Sequence, residues 1–483
     1  MPLRTPEQYF QSLKDGRRVR YRGAAVPDVT EHPVIGLATR HAAIDYAMAE
    51  DPAHRDLAVV DGTSRYYVPP RNAEDLLLRS KLIETATRLG GTLVVLIKEI
   101  GTDALFGLSI VAQLVDAKAG THYSERVKSF HRHCAQNDLA LAVAQTDVKG
   151  DRALGPAEQA AKGNPDAYVR IVERRADGIV VRGAKAHTSV STNANELIVL
   201  PTRAMGEADA DYAVAFAVPL DTPGLTLVAS PHGGSAKNEF EHPISSRHKM
   251  METLTIFDDV FVPNERVFLA GEWQAAGPLA LTFVEFHRFT AVSYKLPLLD
   301  ALVGTALLLA ELNGVDRAGH VRDKLAWLIA YAEGLRALTH MAAHRCGFHE
   351  SALGGKIAVP DPLTVNVAKL HFATNYHAAV ARVQDIAGGL LVTGPAMEDL
   401  RADDLGAQLR HYLGGKIGVE TDARLRALNL ASDLTSSDFG GYQEVLAVHA
   451  EGSIEAEKLT ILRNYDHAAA KDYARRLADT GRG

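Results

Sequence analysis

The chain has 483 residues, of which 47% are hydrophobic and 23% charged, with a formal net charge of −7. That length exceeds one compact core, so two or three domains are expected. The acidic balance lacks the basic footprint that nucleic acid or an anionic membrane requires, and neither is expected as a partner.

The two cysteines, Cys134 and Cys346, are far apart and build neither a disulfide framework nor a thiolate-rich metal site. The N-terminal "MPLRTPEQYF" has no apolar core, so no signal peptide is expected and the location is expected to be cytoplasmic. Residues 1–140 read as helical. "HPVIGLATRHAAIDYAMAEDP" is a first helix, and Asn72 to Gly90 places leucines and isoleucines at helical spacing with Asn72 as the cap. "DALFGLSIVAQLVDAKAG" and "YSERVKSFHRHCAQND" continue the pattern. His131 and Cys134 stand three apart on the last of these, but no third ligand accompanies them, so no metal site is expected.

The period changes near residue 140. An apolar run from Leu139 to Ala144 flips within two residues to Thr146, Asp147, Lys149, Gly150, Asp151 and Arg152. Polar groups of both signs with a glycine, at the end of a buried strand, point to a binding loop. "YVRIVERRADGIVVRGAKAH" alternates and carries Asp177-Gly178 between two β-rich runs, a hairpin signal. "ELIVLPT", "YAVAFAVPL", "GLTLVAS" and "TLTIFDDVFVP" follow as short strands. The helical period then returns. "LPLLDALVGTALLLAELNG", with Pro297 and Asp300, reads as a buried helix rather than a membrane span. "LTVNVAKLHFATNYHAAVARVQDIAGG" is a helix stopped by Gly388-Gly389. Apolar helices of this kind bury a face against a partner chain, and a homo-oligomer is expected.

Four motifs, "QNDLALAVAQTDVKGDR", "DGIVVRGAKAHT", "IFDDVFVPNERVF" and "DIAGGLLVTGP", stand in this order along the chain. Together they resemble the family of 4-hydroxyphenylacetate 3-monooxygenase and 4-hydroxybutyryl-CoA dehydratase, over essentially the whole length. The resemblance implies an α+β, acyl-CoA dehydrogenase-like fold: an N-terminal helical domain (1–140), a central antiparallel β-barrel domain (141–273) and a C-terminal helical domain (274–483). It also implies FAD in a crevice between the helical and β parts. Carried over, Val143, Ala144 and Gln145 sit by the isoalloxazine, Arg152, Pro156 and Gln159 lie towards the ribityl and phosphate part, and Ser189 faces the flavin from the β domain. Gln443 and Glu444, in "GGYQEVL", match a segment that reaches FAD from its own or a neighbouring subunit of an expected tetramer.

The same resemblance separates two branches, and the sequence departs from both. The dehydratase branch holds an iron–sulfur cluster on three cysteines and a histidine. The matching positions are Leu96, Ile100 and Tyr294 for the cysteines and His287 for the histidine, so no cluster is expected. The phenol clamp of the monooxygenase branch falls on Ile100, Ala104 and Val143. What replaces it is an apolar wall, Leu93 to Ile97 with Ile100. Leu96, Ile100, Ala104, Tyr294 and Glu252 are the expected substrate positions; Glu252 matches a dehydratase carboxylate. His287, His187 and Lys295 are the candidates for chemistry. His287 and Lys295 stand eight apart on a helix and share approximately one face, and imidazole is the side chain whose charge changes near neutrality. His187, His287 and Glu252 each have a structural reading beside the chemical one: His187 in a β turn, His287 packed beside Arg288, Glu252 on a strand surface.

No G-x-G-x-x-G fingerprint follows a strand, so reduced FAD is expected from a separate reductase. The expected activity is that of a flavin-dependent monooxygenase acting on an aromatic or similar small molecule. A cluster-free acyl-CoA dehydratase or isomerase, and a non-catalytic flavin-binding subunit, are the alternatives.

Overall fold

The computed structural model describes residues 3–233, 237–478 and 480. The helix read after Asn72 forms as Ala73–Leu89, and the Asn72 side chain accepts the Asp75 amide, satisfying a donor that the first helical turn leaves open. Glu99–Ala119 and Tyr123–Gln136 follow it. Glu99–Ala119 is buried on nearly every face of its first fourteen residues, which its apolar sequence requires. Its chief neighbour is Trp273–Leu312, a helix of 40 residues with Pro278 and Pro297 inside it. At 1.5 Å per residue this helix spans about 60 Å. Both helices are long and apolar enough to cross a membrane by length and composition, yet most of each is buried inside the fold.

Two sheets stack beside the helices, with the Phe216 and Phe257 rings meeting edge to face between them at 5.8 Å. The hairpin signal at Asp177-Gly178 holds: Arg170–Arg174 pairs antiparallel with Gly178–Ser189, and the Arg175 amide donates to the Gly178 carbonyl. The expected antiparallel barrel does not. Among the described residues the six-stranded sheet ends on Ala24–Val26 and Arg170–Arg174, and the four-stranded sheet ends on Val267–Ala270 and Leu141–Ala144. Closure needs a continuous hydrogen-bonded stagger around the ring. Leu141–Ala144 pairs with Glu196–Val199 on one side and on the other runs onto the helix Glu99–Ala119. There the Leu141 amide donates to the Ile97 carbonyl at 2.6 Å, and among the described residues an isolated bridge from Asp147 to Lys185 is what reaches the six-stranded sheet, so the segment leading into the helix takes the place of a further strand.

Among the described residues two pairings are parallel, Leu141–Ala144 with Glu196–Val199 and Val19–Tyr21 with Leu225–Ala229. The first 140 residues are therefore not wholly helical, since Val19–Tyr21 and Ala24–Val26 complete the six-stranded sheet. The helical C-terminal part likewise contains a hairpin, Gly347–Glu350 with Lys356–Val359. Gly319–His344 and Pro362–Ala387 pack on Trp273–Leu312, and Pro362–Ala387 stops at Gly388 in a positive-φ conformation, φ 73°, as its sequence foretold.

Candidate active site

The loop after Leu141–Ala144 is built from the inside. Val143 and Ala144 are buried, and the Gln145 carbonyl accepts from Lys185 Nζ at 2.8 Å and the Thr202 hydroxyl at 2.7 Å. Asp147, buried, pairs with Lys185 at 2.8 Å and accepts the Val169 amide at 2.9 Å. Gln159, also buried, accepts the Asp151 amide at 3.0 Å and donates to the Lys149 carbonyl at 2.8 Å. Gly150 sits between them at φ +50°, where a Cβ would come within 2.2 Å of Gln159 Oε1. Pro156 is buried at the start of the helix Pro156–Ala161. Asp147 and Gln159 thus hold the loop's own backbone. The outward charge comes from Arg152, which is exposed, and from Lys149. Burial lowers the Lys149 pKa, and Arg152 and Arg203 lower it further against the pull of Asp147. No carboxylate pairs with Lys149, Arg152 or Arg203 among the described residues. Sequence reading placed Lys149 in the binding loop but did not single out Arg203.

Two clefts open on either side of the helix Asp438–His449, whose Ser437 cap accepts two amides of its first turn. The first encloses about 460 Å³, open solvent included, and is lined by Leu93, Lys249, Met251, Glu252 and Tyr442 among others. Here the Ser189 hydroxyl lies 2.9 Å from both Glu252 oxygens, and the Tyr442 hydroxyl donates to Glu252 at 3.0 Å. Burial pushes the Glu252 carboxyl up to about 7, against these two hydroxyls, which pull it down.

The second cleft encloses about 270 Å³ between Thr92, Val94, Tyr294, Lys295, Leu298 and Gln443. Gln443 reaches the Thr92 carbonyl at 3.5 Å. Glu444, the next residue, turns outward and pairs with the exposed His377. Of the apolar wall, Leu93 faces one cleft and Val94 the other. Leu96, Ile100 and Ala104 are buried. Leu96 adopts φ 69°, a left-handed conformation costly for a side chain of this kind.

Lys295 meets a partner that sequence reading missed. Its ammonium lies 2.9 Å from Glu451 Oε2, and the Tyr294 hydroxyl donates to the same carboxylate. Lys369 and Glu457 pair beside them at 3.1 Å, and Arg288 donates to the Glu451 carbonyl at 3.1 Å. Burial pushes Lys295 well below the usual lysine range, with Lys369 adding to the push and Glu457 opposing it. Burial and Glu457 push Glu451 well above the usual carboxylate range, against Arg288. Glu451 stands at φ 59° between two helices. The available signal was an acid before glycine in "HAEGS", where a surface turn needs none.

His287 does not join Lys295. Its Nδ1 lies 3.1 Å from Asp103 Oδ2, and its ring stacks on Phe283 at 5.2 Å. Arg79 and Thr290 donate to the other Asp103 oxygen at 2.8 and 3.1 Å. Eight residues along a helix is a rise of about 12 Å with a turn of about 80°, and each side chain finds a different neighbour. His187 is exposed at φ 56°, in a β-bulge between Thr188 and Lys185, apart from both.

The family profile described as "4-hydroxyphenylacetate 3-hydroxylase N terminal" matches residues 5–269, and "4-hydroxyphenylacetate 3-hydroxylase C terminal" matches residues 276–479. The chain is 32% identical to a 4-hydroxybutyryl-CoA dehydratase/vinylacetyl-CoA-Δ-isomerase of Clostridium aminobutyricum, covering 99% of each chain. It is 32% identical to the 4-hydroxyphenylacetate 3-monooxygenase oxygenase component of Thermus thermophilus, over 92% of this chain and 90% of that one. Among solved structures, an oxygen-tolerant archaeal 4-hydroxybutyryl-CoA dehydratase from N. maritimus superposes with a TM-score of 0.91 at 30% identity, covering 99% of this chain and 95% of that one. The oxygenase component of 4-hydroxyphenylacetate 3-monooxygenase complexed with FAD superposes with a TM-score of 0.87 at 29% identity, covering 98% of both. Two profiles that together span nearly the whole chain, and relatives that match from end to end, make this protein a member of the 4-hydroxyphenylacetate 3-hydroxylase family.

Proposed function

We propose that the chain is an FAD-dependent oxidoreductase, the oxygenase component of a two-component monooxygenase. It takes reduced FAD from a separate reductase and hydroxylates an aromatic or similarly electron-rich small molecule. The carrying observation is what stands at the positions matched to cluster cysteines: Leu96 and Ile100, both buried, and Tyr294, held on Glu451. None offers a thiolate, which an iron–sulfur cluster requires. Cys134 is buried in another helix and Cys346 lies beyond the end of Gly319–His344. The residues do not fit a cluster.

They fit FAD. Lys149, Arg152 and Arg203 form a positive group that suits a pyrophosphate. The Thr92 hydroxyl, which lines the second cleft, is buried without a partner among the described residues. A bound polar ring would satisfy such a group. Val143 to Gln145 would face the ring, the three cations would hold the pyrophosphate, and Ser189 would approach from the sheet. Reduced FAD, when bound, supplies the electrons for oxygen activation. The apolar wall excludes water from the reacting groups. His287 accepts the proton of the substrate hydroxyl at Nε2, the nitrogen that no described residue engages. Gln443 and Glu444, on either face of one helix, give a homotetramer a place to share the site, and the location is cytoplasmic.

The buried Lys295–Glu451 pair supports a second reading, an acyl-CoA dehydratase or isomerase working without a cluster. Stopped-flow mixing of anaerobically reduced FAD and protein with oxygenated buffer separates the two. On the oxygenase reading, oxygen disappears ahead of the return of oxidised-flavin absorbance. Reoxidation in step with oxygen loss, as for free reduced FAD, contradicts it.

A further inference from the structure

Asp103 is fully buried in the helix Glu99–Ala119 and engages three groups from two other helices. Its Oδ1 accepts from Arg79 at 2.8 Å and from the Thr290 hydroxyl at 3.1 Å. Its Oδ2 faces His287 Nδ1 at 3.1 Å. A carboxylate without water survives only where donors replace its hydration. Arg79 is such a donor, itself buried and further fixed by the Tyr66 and Glu99 carbonyls at 3.1 and 3.0 Å. With both Oδ1 partners donating, Oδ2 is left as a pure acceptor, so the proton of a neutral His287 belongs on Nδ1. The Nε2 lone pair is then free, and no described residue takes it. The Phe283 ring, stacked on the imidazole at an interplanar angle of 12°, keeps the ring from turning over.

We propose that Asp103 is the positioning residue for His287, held by Arg79 so that it fixes the Nδ1–H tautomer and presents Nε2 as the proton acceptor. This rests on the reading of His287 as the acid–base group. When the substrate O–H bond breaks, its electron pair stays on oxygen and its proton passes to Nε2. The imidazolium so formed is offset by the Asp103 carboxylate, which itself takes no proton. The arrangement also accounts for a charged pair set in an otherwise apolar helix interface, where hydrophobic residues would pack at least as stably.

Asp103→Asn tests it. Arg79 and Thr290 both donate, so the new side chain keeps its carbonyl towards them and turns its NH₂ towards His287. The imidazole must then accept at Nδ1 and carry its proton on Nε2. Selective ¹⁵N-histidine labelling, with His287→Ala to assign the signal, reads the tautomer in the FAD-loaded protein. The expected result is an Nδ1–H tautomer in the wild type and Nε2–H in Asp103→Asn. Turnover on para-substituted phenols should fall about 10²–10⁴-fold in the variant, with FAD affinity and KM within threefold. An unchanged tautomer, or a switched tautomer with undiminished turnover, overturns the proposal. Full turnover in His287→Ala instead removes the acid–base reading and the positioning role with it, while the tautomer switch in Asp103→Asn still appears.

Discussion

Lys295 and Glu451 meet 2.9 Å apart in the interior, one from the middle of the longest helix and the other from a left-handed turn 156 residues later. Both are about 1% exposed. Removing one partner leaves the other buried and unpaired, which costs about 1–3 kcal/mol for a neutral polar group and about 3–5 kcal/mol for a charge. Lys295→Met and Glu451→Gln should therefore each lower the melting temperature markedly. Lys295→Met with Glu451→Gln together should lose much less than the sum of the single changes. Thermal unfolding of the two single variants and the double checks this; additive losses would show the pair is not coupled.

Glu252 gives a pH signature. Its carboxyl titrates at about 7 in the folded chain against 4.5 when exposed. Between these values the folded protein holds a proton that the unfolded chain releases, so stability falls as pH rises from about 4.5 to about 7 and levels off above. Glu252→Gln mimics the protonated form and keeps both hydroxyl partners. It should match the wild type near pH 5 and exceed its stability near pH 8 by about 1–3 kcal/mol. Denaturant titrations at the two pH values read the difference; a constant gap at both would refute it.

The loop after Leu141–Ala144 should depend both on Asp147, which braces it from inside, and on Arg152, the cation proposed to meet the cofactor. Asp147→Ala leaves Lys185 buried without its carboxylate and frees the Val169 amide. FAD affinity, followed by flavin fluorescence, should drop about tenfold or more. Arg152→Ala removes an exposed cation and should weaken FAD with the melting temperature of the FAD-free protein unmoved. Unaltered FAD binding in both would place the cofactor elsewhere.

Iron analysis tests the cluster positions. Anaerobically prepared protein should carry FAD and lack stoichiometric iron and acid-labile sulfide, because Leu96, Ile100 and Tyr294 offer no thiolate. Stoichiometric iron and sulfide would disprove this.

Local signals made part of this legible from sequence. The flip from Leu139–Ala144 to "TDVKGDR" marks the strand end and its loop, and Asn72, Asp177-Gly178 and Gly388 mark element ends by backbone chemistry alone. Partners far apart in sequence were not legible. Asp103 stands 184 positions from His287, and the polar character of Asp147 is spent on Lys185 rather than on a ligand. Helical spacing suggested that His287 and Lys295 face one site, whereas the helices packed around them direct each to its own carboxylate. Alternation likewise marked the strands but not whether their sheets close, which is decided at the outer edge of Leu141–Ala144, where the Ile97 carbonyl takes the Leu141 amide.

The central question is whether oxygen enters the product. The direct measurement supplies reduced FAD from a reductase, ¹⁸O₂ and a panel of phenols, and reads product mass. The expected result is a hydroxylated product carrying one oxygen atom from O₂, formed only while reduced FAD is supplied. Turnover of a hydroxyacyl-CoA to its dehydrated product without oxygen consumption, and no labelled phenol, would contradict it.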